Sequence, residues 1–281
     1  MVADAGVLLN MVPAALPAVV DISLDPVAIQ LGPLAVHWYG IGYVVAFLAG
    51  AWVARRHVVA RGVPEQQVGS LLFWCIVAGL VGARLFYVLQ SGLVYYLTHP
   101  QYILAVWQGG MAFYGAVFAG AGTLVYLCWQ RGLDFWTVFD GAALFAAVGQ
   151  PIGRIGNVIN GDILGPPSNL PWATQYSNPH ALAPHLFVPY QPAAVYEALA
   201  TLSILGVLLL IRRRGVPAGV LAITYVALYA VSQILIPLLR ATEPVIALGL
   251  RQLQWTAIGV LVLGVPLLIL VRRRGVLLRR A

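Results

Sequence analysis

Gly153-Arg-Ile-Gly-Asn-Val-Ile-Asn-Gly-Asp-Ile-Leu-Gly165 leaves the end of a strongly apolar run, residues 135–153. A run of that length is close to what a helix needs to cross a bilayer core. An arginine, two asparagines and an aspartate follow it at once. Such groups beside hydrocarbon are costly unless polar partners hold them. One reading is a helix end, with Asn160-Gly161 as the breaker. If residues 153–160 stay helical, Arg154, Asn157 and Asn160 instead share one face at three-residue spacing. A fixed cation beside two amides suits a phosphate.

The rest of the chain repeats the apolar half of that pattern. Hydrophobic residues make up 61% and charged residues 9% of 281, and the mean hydropathy is +0.87. These values describe a polytopic membrane protein. Apolar runs cover about 34–54, 69–90, 110–130, 135–153, 193–211, 216–239 and 252–271. The expected fold class is therefore an all-α polytopic membrane protein of about seven transmembrane helices, forming a single domain over residues 25–281. Residues 1–24 read as an arm at the membrane surface. Asp4 and the lack of a basic start make a poor signal peptide, and Pro13 and Pro17 oppose a regular helix.

Arginine placement predicts the orientation. All 16 basic residues are arginine and the net charge is +7. They sit between apolar runs and not along one face, which speaks against nucleic acid. With the amino terminus outside, Arg55, Arg56, Arg61, Arg131, Arg212, Arg213, Arg214, Arg272, Arg273, Arg274, Arg279 and Arg280 fall inside, twelve of the sixteen. The positive-inside rule favours this arrangement, with a cytoplasmic carboxyl terminus. Arg84, Arg154, Arg240 and Arg251 are left near outer ends. The long connection 154–192 then lies outside, where a loop of this length is usually functional or disordered.

Depth follows from orientation. Tyr39, Arg84, Tyr114, Arg154, Tyr196, Glu197, Tyr229 and Gln233 come from six helices yet share the outer half, with Asp140 as the exception. Interfacial tyrosines, and an Arg84 that pairs with Glu197 or snorkels, are the simpler account. A lipid-headgroup site facing the outer leaflet, anchored by Arg154, accounts better for arginine, glutamate and glutamine at one level. Gly149 with Gly153, and Ala116 with Gly120, have the spacing that lets helices approach closely. Cys75 and Cys128 lie in apolar segments and read as packed thiols. No histidine pair or carboxylate cluster has metal-ligand spacing, so neither metal nor other cofactor is expected. A transporter is disfavoured, because polar residues do not track through both leaflets.

Gly153–Gly165 resembles the segment that marks bacterial prolipoprotein diacylglyceryl transferases. Leu31-Gly-Pro-Leu-Ala-Val-His-Trp-Tyr-Gly40, Trp107-Gln-Gly-Gly-Met-Ala-Phe-Tyr-Gly115 and Pro192-Ala-Ala-Val-Tyr-Glu197 agree in order, and the resemblance runs from about residue 25 to 272. It implies a seven-span enzyme of the bacterial inner membrane. Such an enzyme moves the diacylglyceryl group of phosphatidylglycerol to the lipobox cysteine thiol of a preprolipoprotein signal peptide, releasing glycerol phosphate. By the same resemblance Arg154 and Asn157 bind the phosphate, and Tyr39 positions the headgroup. Asn160, Asp162 and Gly165 shape the outer wall, while Arg84 and Glu197 orient the site. Tyr229 and Gln233 line it from span 6.

The chain departs from the family pattern at several places. Tyr114 stands where the family usually has histidine, and a phenol is the weaker base at neutral pH. Tyr114 is nevertheless the candidate for deprotonating the thiol. Gln233 and Pro237 replace an arginine and a glutamate, Gln191 a histidine, and Asp162 a glutamate. These changes leave room for an alternative: a divergent, non-catalytic homologue that binds anionic lipid or lipoprotein signal peptides.

Overall fold

The computed structural model describes residues 19–32, 34–240 and 245–274. The first eighteen residues of the expected arm lie outside them, as do Arg279 and Arg280. Helices overlie every apolar run: α1 Trp38–Val59, α2 Glu65–Gln90, the short α3 Leu93–Thr98, α4 Phe113–Arg131, α5 Phe135–Asn160, α6 Ala193–Arg213 and α7 Val220–Leu235. The last run is α8 Gln252–Gly259, a π turn at Val260–Gly264, and α9 Val265–Arg274. Among the described residues, four helical stretches are long and apolar enough to cross a membrane: Glu65–Gln90, Ala193–Arg213, Val220–Leu239 and Gln252–Arg273.

The all-α expectation needs a correction. Three two-stranded pairs occur outside the long helices. Parallel β1 Val20–Ile22 pairs with β4 Thr174–Tyr176, and antiparallel β2 Val27–Leu31 pairs with β3 Leu34–His37. Antiparallel β5 Val245–Ala247 pairs with β6 Leu250–Arg251. These segments leave the helical runs, so their backbone groups must find partners elsewhere, and short ladders supply them. The first helix accordingly starts at Trp38, not at residue 34.

The chain divides into two compact units. One comprises Leu48–Val148, Leu205–Ala227 and the described part of Val262–Ala281. Its core gathers Val58, Val68, Leu71, Leu127, Cys128, Phe135 and Trp136, with Cys128 fully buried as expected of a packed thiol. Helices α2 and α4 approach closely where a side chain on Gly82 would strike Ala119 and the Gly115 carbonyl. The expected Ala116–Gly120 pair meets α2 less tightly, since a Cβ added at Gly120 would lie at an ordinary van der Waals distance of 3.7 Å from the Cys75 carbonyl.

Asp140, the depth exception, has a structural task in this unit. Its carboxylate accepts hydrogen bonds from the Gly219 and Ala222 backbone N–H groups at 2.9 and 2.8 Å, capping α7 from a neighbouring helix. Free N–H groups at a helix start carry partial positive charge, which a carboxylate complements. Arg61 stands 4.0 Å away, and Gly219 has φ +86° with no room for a Cβ beside Trp136.

The other unit comprises the described part of Met1–Phe47 together with Gly149–Ile204 and Leu228–Leu261. Its non-helical stretch 161–192 has a small core of Leu164, Tyr176 and Tyr190, onto which Ile22 and Val188 pack. Tyr176 donates to the Val158 carbonyl at 2.7 Å. Burial, reinforced by the charge of Asp162 and opposed by Thr174, pushes its phenol up to about 12. Beside the β1–β4 pair, Ser177 donates to Asp21 at 2.8 Å and His180 meets Asp25 at 2.9 Å. The hydrogen bond from the Val27 backbone, then His180, holds the Asp25 carboxyl below the usual carboxylate range. A Cβ added at Gly149 would lie 3.6 Å from the Ala46 carbonyl, whereas one added at Gly153 would meet nothing within 4 Å.

Two outcomes test this account. Asp140→Ala should destabilise the solubilised protein by about 2–4 kcal/mol, because buried donors and Arg61 lose their acceptor together, seen as a lower thermal midpoint. A depressed carboxyl stabilises above its ordinary pKa and loses that contribution as pH falls through the folded value. Amide protection factors, taken against the intrinsic rate at each pH, should therefore fall in residues 20–22 and 174–176 below about pH 4, and more weakly in Asp25→Asn.

Candidate functional site

The helical option for residues 153–160 is the one adopted, with α5 running to Asn160. Pro151 sits inside that helix and withholds the N–H that the Ala147 carbonyl would otherwise receive. One turn later comes Arg154, half-buried. Its Nη1 donates to Asn157 Oδ1 at 3.1 Å, and its Nη2 pairs with Glu197 Oε2 at 2.6 Å. Among the described residues, its Nε–H and remaining terminal hydrogens have no partner.

Glu197, on α6, is only 3% exposed and takes a second guanidinium, that of Arg240. Each oxygen of this buried carboxylate ion-pairs with one guanidinium, Oε1 also by a hydrogen bond and Oε2 by charge alone among the described residues. Asn157 continues the chain in the other direction, its Nδ2 lying 3.1 Å from both oxygens of Asp162. The reverse amide orientation would turn its oxygen toward that carboxylate, so the network selects this one. Asn157 thus ties Arg154 to Asp162, whereas the expectation had it meet phosphate directly.

Tyr39 packs across α5 because Gly156 has no side chain: a Cβ there would lie 2.9 Å from the tyrosine ring. Its hydroxyl bonds that of Tyr43 at 2.7 Å. The Asn160 carbonyl accepts from the Leu182 N–H at 2.7 Å, while its side-chain Oδ1 is buried with no protein partner among the described residues. Tyr229 interacts with Gln150 and feels the charges of Arg154 and Glu197. Gln233, one turn farther along α7, is half-buried and makes no side-chain hydrogen bond among the described residues.

Gly165 has a geometric reason. A Cβ at this position would strike the Leu239 carbonyl and lie 2.8 Å from Gln191 Cβ. It therefore admits the turn that ends at Arg240. That turn is a 3-10 segment, Ile236–Leu239, closed by Arg240 N–H on the Pro237 carbonyl at 3.2 Å. Pro237 is fully buried and lacks the N–H that α7 would need to continue. Arg251 donates to the Arg240 carbonyl, and Gln254 donates to the Ile234 carbonyl at 2.9 Å, fixing the turn from α8.

Arg84 and Tyr114 belong to the other unit. Arg84 is buried on α2 and makes no ion pair with a carboxylate among the described residues. Its guanidinium donates to the carbonyls of Tyr102, Ile103, Gly109 and Gly110 at 2.6–2.8 Å, so the pairing with Glu197 weighed from the sequence is not made. Tyr114 opens α4 and stacks on Phe118.

The profile of the family described as prolipoprotein diacylglyceryl transferase matches residues 26–270. The chain belongs to this family. A phosphatidylglycerol–prolipoprotein diacylglyceryl transferase of Geobacter sulfurreducens is 34% identical over 261 residues, covering 90% of this chain and 97% of the relative. Relatives bearing the same name in Bordetella avium and Bacillus velezensis are 31% and 33% identical. They cover 89% and 90% of this chain, and 96% and 94% of their own lengths.

Arg240 is the residue that sequence reasoning missed. A signal existed, since it is one of four arginines lying against the positive-inside pattern. Arg84, Arg154, Arg240 and Arg251 all prove to be held by carboxylates or carbonyls within the protein. Glu197→Gln should destabilise the solubilised protein by about 3 kcal/mol, because two guanidiniums then face each other without a counter-charge. Thermal unfolding of the variant beside Arg240→Gln/Glu197→Gln checks this, the double change recovering part of the loss.

Proposed function

We propose that the protein transfers the diacylglyceryl group of phosphatidylglycerol to the lipobox cysteine thiol of a preprolipoprotein, in the bacterial inner membrane. Seven spans, an external amino terminus and a cytoplasmic carboxyl terminus complete the proposal. The observation that carries it is the Arg154 guanidinium, fixed on one side by Asn157 and Glu197 and open on the other. Family membership and the names of the relatives support the same reaction.

In the reaction the thiolate sulfur attacks the glyceryl CH2 carbon that carries the phosphate ester. A C–S bond forms and the C–O bond breaks. The electron pair leaves on the phosphate oxygen, and the thiol proton passes to a base or to solvent. Negative charge grows on the departing phosphate, and a preorganised guanidinium stabilises it without reorienting at that moment. Asn157 and Asp162 supply the preorganisation, as residues that position Arg154. Two guanidiniums against one buried carboxylate leave the triad a positive balance, which favours an anionic lipid over a zwitterionic one.

Asn160 Oδ1, buried and without a protein partner among the described residues, is proposed to accept from a hydroxyl of the glycerol headgroup. Tyr39 and Tyr229 line the headgroup region, Gln233 extends it along α7, and Tyr114 works on the thiol.

Transfer of labelled diacylglyceryl from phosphatidylglycerol to a lipobox peptide tests the proposal. Arg154→Ala should lower turnover about 100- to 1000-fold, the effect of removing one oxyanion donor; undiminished turnover would sink the mechanism. Asn160→Ala should raise KM for phosphatidylglycerol about tenfold, as loss of one buried hydrogen bond predicts, and leave kcat nearly unchanged.

A further inference from the structure

Arg84 was expected to orient the lipid site, and each of its guanidinium nitrogens meets a backbone carbonyl. Nε donates to Ile103 at 2.8 Å, Nη1 to Gly109 and Gly110 at 2.6 and 2.8 Å, and Nη2 to Tyr102 and Ala105 at 2.6 and 3.5 Å. Tyr87 and Tyr96 flank the cation at 5.6 and 5.8 Å. Gly109 and Gly110 have φ of +84° and +80°, a conformation open to glycine that turns both carbonyls to one cation. A Cβ on Gly110 would collide with the Tyr87 ring and lie 2.8 Å from Arg84 Nη1.

The neighbours of Arg84 continue the same contact. The Ala83 carbonyl accepts from the Ala112 N–H at 3.0 Å, and Gly82 meets Gly115 backbone to backbone. Three successive residues of α2 therefore seat the chain from Gly109 to Gly115, and Tyr114 lies within it.

We propose that Arg84 is a positioning residue, which places Tyr114 by holding the backbone that leads into α4. The proposal rests on the transfer reading above, in which Tyr114 works on the thiol. Lysine, a point charge without the planar fork, cannot hold four or five carbonyls at once.

Steady-state transfer from phosphatidylglycerol to a lipobox peptide, measured on the wild type, Arg84→Lys, Gly110→Ala, Tyr114→Phe and Arg84→Lys/Tyr114→Phe, tests it. Arg84→Lys and Gly110→Ala should each lower kcat at least about tenfold with KM for phosphatidylglycerol within about twofold. In the Tyr114→Phe background the lysine change should cost less than about threefold further, because the two act through one group. Chymotryptic cleavage at Tyr102 and Trp107 should quicken in both seat variants.

A raised KM with unchanged kcat would overturn the proposal and make Arg84 a headgroup ligand. Losses that multiply in the double variant, full activity in Tyr114→Phe, or unaltered cleavage would overturn it as well. Absence of transfer in the wild type, or transfer indifferent to Arg154→Ala, would instead overturn the underlying reading and take this proposal with it.

Discussion

A charge taken out of water must be given oppositely charged or dipolar neighbours, and in a chain that is 61% hydrophobic those neighbours are few. The ion triad of Arg154, Glu197 and Arg240 satisfies this constraint with three residues from distant parts of the sequence. Its buried carboxylate would be intolerable alone, and each guanidinium needs it. The triad therefore joins α5, α6 and the turn after α7 by electrostatics as well as by packing. Asp140 and Arg84 obey the same constraint with backbone partners, one carboxylate gathering N–H groups and one guanidinium gathering carbonyls.

The departures from the family pattern in span 6 acquire a common setting from this geometry. Pro237 ends α7 and begins a 3-10 turn, and that turn delivers Arg240 to Glu197. Gly165 leaves space for the Leu239 carbonyl. A residue expected to shape a wall thus acts by being absent as a side chain, and a replaced glutamate becomes the start of a turn. Arg154 keeps an anionic partner and an open edge together, the combination that leaving-group stabilisation requires.

Much of this was legible in the residues. The helices were readable because apolar runs of span length have one economical conformation in lipid, and the helical spacing of Arg154, Asn157 and Asn160 is kept, since α5 runs to Asn160. The short ladders were not readable, since Val20–Ile22 and Thr174–Tyr176 are too brief to show a period of their own and lie far apart in the chain. The partners of Arg84 were hidden for another reason: backbone carbonyls are present at every residue, so no residue type signals them. Arg240 announced itself only by breaking the charge pattern.

By itself the sequence determined the helical runs and the family, because hydropathy, helical spacing and short motifs act over a few neighbouring residues. The tertiary structure alone decided which charge meets which. Pairing of Glu197 with Arg154 and Arg240, capping of α7 by Asp140 and the carbonyl seat of Arg84 depend on approach in space between segments separated by tens of residues. Electrostatic energy falls with distance in three dimensions and is indifferent to distance along the chain.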